Sequence, residues 1–70
     1  MKYIVVEIQT DAEGNVATIT TQHDALNAAQ SAYYGILAAA AISAVPVHSA
    51  VLMTNEGISI LFNCFDHTGD

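Results

Sequence analysis

The sequence predicts an α+β fold, with one alanine-rich helix packed on a four-stranded antiparallel sheet in the order ββαββ. Three observations carry that reading. The stretch Asp24 to Ala44, about half alanine and glycine, is the one segment long enough for several helical turns. Two stretches of period-two, β-branched character flank it on each side. Short turn-forming segments, DAEGN and NEG, join the members of each flanking pair, as hairpins require.

Lys2 to Thr10 alternates, with Ile4, Val6 and Ile8 on one side and Tyr3, Val5, Glu7 and Gln9 on the other. The Ile4/Val6/Ile8 side is the expected helix-facing one. Asp11 to Asn15 reads as a turn: Asp and Asn bond neighbouring backbone, and Gly14 tolerates positive φ. Val16 to Thr21 follows as a second strand, thinner in apolar residues and therefore expected at an edge. The helix begins near Asp24, with Asp24 or Thr21 as candidate N-caps.

Leu26, Tyr33, Leu37 and Ala41 make one apolar stripe on that helix, and Ala28, Ala32, Gly35 and Ala39 a second made of small residues. Together they span more than a one-sided helix needs. Gly35 costs about 1 kcal/mol of helix propensity relative to alanine, so close packing is a physical reason for it. Whether the small stripe meets another helix or lies flat on the sheet stays open. Pro46 is expected to end the helix by forcing Val45 out of the α region.

Val47 to Thr54 is the third strand, Asn55 to Gly57 a tight turn, and Ile58 to Phe65 the fourth strand. Ile58, Ile60, Phe62 and Cys64 share one side of it, Leu61 and Phe65 the other. A strand apolar on both sides is expected at the centre, covered twice. One helix supplies one cover, so the second is expected from another subunit. Residues 67–70 are expected to be a loose tail.

Seventy residues make a single domain, 1–70, and chains this short rarely bury enough core alone. Hydrophobic residues are 53% and charged ones 11%. The lone Cys64 precludes an internal disulfide, so homo-oligomerisation is the expected source of further core. Lys2 is the only lysine or arginine against seven acidic residues, a net charge of -6. Nucleic acid and anionic membranes both require a basic footprint, so neither is an expected partner. The apolar run from Ala32 to Val47 is too short and alanine-rich to span a bilayer, and MKYIVVEIQT lacks the features of a signal peptide. An intracellular, reducing location is the expectation.

His48, Cys64 and His67 are the soft metal ligands, with Cys64 and His67 in C-x-x-H spacing. Structural zinc wants four ligands, which would require Asp66 or symmetry, so no metal or other cofactor is expected. A three-residue turn would set His48 opposite Cys64, and a two-residue turn opposite Asn63. A Cys64–His48 nucleophile pair lacks an orienting third group and an oxyanion site, so no catalytic residue is assigned. Tyr33 and Tyr34 lie about 100° apart on the helix, so one belongs at the sheet and the other near an interface or pocket.

The segment ILAAAAISAVPVHSAVLMTNEG, Ile36 to Gly57, resembles a family of small proteins, roughly 70–80 residues each, encoded in phages and prophages of gut Clostridia. The opening KYIVVEIQT and the closing NCFDH resemble it too. The family pattern includes VPVHSA, here Val45 to Ala50, and a Cys-aromatic-x-His ending, here Cys64, Phe65 and His67. Many members carry a lysine and a histidine in mid-helix, where this chain has Ala32 and Tyr34. The family has no assigned catalytic residues. The resemblance implies a viral accessory protein in the cytoplasm of a bacterial host.

By analogy with phage sponges, it further implies sequestration of a nucleotide-like immune signal between subunits. Tyr33, Tyr34, His48 and Gln30 would then bind the ligand, and Ala28, Ala32, Gly35, Ala39, Leu61 and Phe65 would form the interface. The scarcity of cations counts against an anionic ligand. A structural or protein-binding role, in virion assembly or inhibition of a host protein, is the alternative.

Overall fold

The computed structural model describes residues 1–69. Its elements are β1 (Tyr3–Thr10), β2 (Val16–His23), α1 (Leu26–Ala41), β3 (Val47–Thr54) and β4 (Ser59–Asp66). They form one antiparallel sheet in the order β2-β1-β3-β4, with α1 on one side. The Cα extents of 38 × 20 × 15 Å are those of two layers.

The sequence expectation put β4 at the centre, and the structure puts it at an edge. The two hairpins join through their first strands, β1 to β3, which leaves β2 and β4 outermost. The edge position expected of β2 is the observed one.

The helix also takes the other side of β1 from the one expected. Val5, at 1% exposure, is buried under it, and Ile4, Val6 and Ile8 lie on the open side of the sheet. Val5 pairs with Leu52 and Glu7 with Ala50, and along β3 the small Ala50 lies between the larger Leu52 and His48 on the helix-facing side. Tyr33 packs into that relief with Val5, Ala29, Ala50 and Leu52.

On α1, Ala29, Tyr33 and Ala40 are buried and Ala32, Ile36 and Leu37 partly so, one arc at helical spacing. Leu26 and Ala41, expected in this stripe, are exposed. Ala28, Gly35 and Ala39 point away from the sheet, and open space lies where a Gly35 Cβ would be. The small residues therefore do not all lie flat on the sheet.

Both helix ends differ from expectation. Ala25 is the N-cap and offers no side-chain bond. Asp24 instead pairs with Lys2, which holds its carboxyl below the ordinary range chiefly by hydrogen bonding, and Thr21 lies inside β2 bonded to His23. The helix stops at Ala41, short of Pro46. Its final carbonyls are met by the N–H groups of Ile42 and Ser43, and the Ser43 hydroxyl accepts from the Val45 N–H.

The turns behave as their residues dictate. Gly14 and Gly57 both have φ of 86°, which glycine adopts without penalty. Asp11 accepts from the Glu13 and Asn15 N–H groups at 2.9 Å each. The Asn15 backbone bond is the main reason its carboxyl lies below the ordinary range. The tail expectation fails at its first residue. The His67 N–H donates to the Pro46 carbonyl at 2.7 Å, and its ring to the Ala40 carbonyl at 2.9 Å, tying β4 to the helix end. Asp70 lies outside the described residues.

Candidate functional site

Period-two geometry puts Glu7 and Gln9 on the helix side of β1, and β3 brings His48 opposite Gln9. His48 is 4% exposed. Its Nε2 lies 2.5 Å from Glu7 Oε2, to which it donates, and Gln9 Nε2 donates to the same oxygen at 3.0 Å. Nδ1 of His48 is buried and has no hydrogen-bond partner among the described residues. With Nε2–H committed to the carboxylate, neutral His48 holds an unused lone pair at Nδ1, and protonated His48 an unused donor. Either state leaves a buried polar atom unsatisfied, which is costly.

Gln9 also lines an open cleft of about 220 Å³ with Asp11, Asn15, Val16, Ala17, Val45 and Pro46. The cleft lies between the β1–β2 turn and the segment leading into β3. It combines turn polar groups with an apolar wall. Gln9 thus joins the cleft to the pair of half-buried Glu7 and buried His48.

The side chains expected to bind ligand are dispersed. Tyr33 is a core residue at 3% exposure, and burial, with a smaller effect from Tyr34, pushes its phenol above the ordinary 10.0. Tyr34 is 55% exposed and meets Tyr33 edge-on, ring centroids 5.2 Å apart at 73°. Gln30 is half-buried one turn before Tyr34. None of these three, nor His48, lines the cleft. Leu61 and Phe65, expected at a subunit contact, are half-buried within the chain. Leu61 packs on the core, and the Phe65 ring lies nearly parallel to that of His67.

His48 and Cys64 do not meet. A three-residue turn is present, closed by the Thr54 N–H on the Ile58 carbonyl at 2.9 Å. A bulge then intervenes: Met53 pairs with Ser59 but Leu52 with Leu61, so Ile60 is an extra residue. The slip of one sets His48 opposite Phe65 and Cys64 opposite Ser49, which places Cys64 on the open side. No group of three or more His, Cys, Asp or Glu suited to a metal ion occurs among the described residues.

That open side is the largest departure from ordinary surface chemistry. Ile4, Val6, Ile8, Val51 and Met53 lie across its centre, and Phe62 is 77% exposed beside them. Asp66, at the end of β4, is the one charged strand residue on this side among the described residues. Glu7 faces the helix. Asp11, Glu13, Asp24 and Glu56 sit in turns and loops. An antiparallel sheet with one wet side normally alternates apolar inside with polar outside. Here the centre of the open side is apolar as well, with Thr18, Thr20, Gln22 and Asp66 towards its edges.

Sequence reasoning missed the Glu7–Gln9–His48 cluster. The available signal was an acid and an amide on the same side of β1 as Tyr3 and Val5. No family model, curated protein or solved structure matches the chain. The fold and surface define a class only: a small α+β domain, helix on one side, with an uncovered apolar sheet face. Among the described residues no helix is long and apolar enough to cross a membrane.

Proposed function

We propose that this chain works without catalysis as a homo-oligomeric accessory protein, with the open side of its sheet closed by a second copy. The uncharged apolar surface around Val51 and Phe62 carries the reading. A surface of that kind marks an association site. The setting, a phage product in the bacterial cytoplasm, rests on the family resemblance of Ile36 to Gly57.

Within that role, the assembled protein holds a small nucleotide-like molecule on the helix side of the sheet, at a contact between copies separate from the closed sheet face. Tyr34 and Gln30 support this: they stand one helical turn apart, one exposed and one half-buried, and pair a stacking ring with an amide. With a net charge of -6 and no arginine, recognition would rest on the base rather than on phosphates. A second reading, docking to a virion or host protein, is favoured by the burial of Tyr33 and His48, which removes two of four expected ligand contacts.

Native mass spectrometry of protein recovered from infected cells tests both at once. The ligand reading expects an oligomer with a retained small molecule. An oligomer that carries none but co-purifies a defined virion or host protein supports the second. A monomer without adducts would overturn the proposal.

A further inference from the structure

The two free edges of the sheet are not equivalent. The Asp11 N–H bonds the Asn15 carbonyl at 3.0 Å, and the Asn55 N–H bonds the Lys2 carbonyl at 3.0 Å. Hydrogen-bonded and non-bonded pairs alternate along antiparallel strands. From both anchors, Tyr3, Val5, Glu7 and Gln9 exchange backbone bonds with His23, Thr21, Ile19 and Ala17. Val16, Thr18, Thr20 and Gln22 must then turn their N–H and C=O groups outward.

Edges are normally guarded by charge, proline or a bulge. β2 reads VATITTQH: it has no charged residue and no proline, and its register with β1 runs unbroken over eight pairs. All but its last residue are exposed. β4, by contrast, carries the bulge at Ile60, ends in Asp66, and is followed by a residue tied to Pro46.

We propose that β2 pairs edge to edge, antiparallel, with β2 of a second copy, extending the sheet to eight strands. Self-complementarity fixes the register. A two-fold axis perpendicular to the sheet keeps each side of it on the same side, so paired residue numbers must share parity. One register uses all four outward-facing residues: Val16 with Gln22 and Thr18 with Thr20, each in both directions. Ile19, 57% exposed on the helix side, then meets its own symmetry mate in a non-bonded pair, where side chains approach most closely. No carboxylate lies within either β2, so two acidic chains can meet there without opposing like charges on the paired strands. Because each helix lies over β1 and β3, the joined β2 strands floor a groove between two helices, with Ile19 at its centre.

This deepens the self-association reading and rests on it. The test is oxidative cross-linking of Ile19→Cys in a Cys64→Ser background, with Ala17→Cys as the control. Facing Cα atoms in a non-bonded pair are about 4.5 Å apart, within disulfide range. Two copies of Ala17 would be about 14 Å apart, given four residues of offset along the strand and the spacing between strands. The expected result is a covalent dimer from Ile19→Cys and none from Ala17→Cys. A second variant, Thr20→Pro, removes an outward N–H while sparing the β1 ladder. It should keep the circular dichroism spectrum and lower the mass of the assembly.

Equal cross-linking at both positions, or an assembly mass unchanged by Thr20→Pro, would overturn the edge pairing. If the wild type nevertheless remained oligomeric, self-association through the sheet face would stand. A monomeric wild type would remove both.

Discussion

The two sides of this sheet are built from similar residues and meet different fates. On one, Val5, Ala50 and Leu52 are sealed under Tyr33 and Ala29. On the other, Ile4, Val6, Val51 and Met53 have no layer over them among the described residues, and Phe62 is 77% exposed. Apolar content therefore did not decide which side the helix took. Relief did: Ala50 leaves space beside Leu52 for a tyrosine, and the polar end of that side is closed by Glu7, Gln9 and His48. The lesson is that a strand pair with two greasy sides reports a demand for two layers and not which one is internal.

The sharpest way to break this comparison is to cut equally into both sides. Leu52→Ala opens a cavity in the closed layer and should cost about 2–5 kcal/mol in denaturant unfolding. Phe62→Ala should change the unfolding free energy of dilute, dissociated protein by no more than about 0.5 kcal/mol. Equal costs would show that the two sides are not distinct.

Next in size is the polar end of the closed side. Glu7→Ala strands His48 Nε2 and should cost about 1–3 kcal/mol, the usual penalty for an orphaned buried group. Glu7→Gln, which keeps an acceptor oxygen, should cost less. Chemical denaturation of the two variants checks the ordering.

Two pH effects sharpen the picture further. Tyr33 has a folded-state pKa above 10.0 because burial disfavours its anion. Its contribution is fully present below pH 10 and is lost as pH rises through the folded value. Tyr33→Phe should therefore flatten the alkaline fall in melting temperature relative to the wild type. The smallest effect is at the β1–β2 turn. Asp11 is depressed below 3.8, so its contribution is present above that value and disappears as pH falls through the folded pKa. Asp11→Asn should reduce the acid sensitivity of the melting temperature slightly.

Much of the architecture could be read from residues alone. The element order, the bounds of β3 and the edge position of β2 follow from alternation, β-branching and turn chemistry. What stayed hidden has particular causes. Nothing in ISILFNCF marks a bulge, since it lacks glycine and proline, yet Ile60 shifts the register and separates Cys64 from His48. Tyr3 and Val5 on one side of β1 and Ile4 and Val6 on the other gave no hydrophobic tie-break. Asp24 looked like a cap, but Lys2, distant in sequence, engages its carboxylate. At the candidate site, Glu7 and Gln9 were visible as side-mates of Val5, whereas their meeting with His48 depended on β1–β3 pairing.

Methionine oxidation tests the central claim most directly, because Met53 lies on the open side and Met1, 72% exposed, is an internal standard. Peroxide labelling read by mass spectrometry should show Met53 protected relative to Met1 at micromolar protein, with protection fading on dilution. Oxidation of Met53 in constant ratio to Met1 across that range would contradict closure of this face by a second copy.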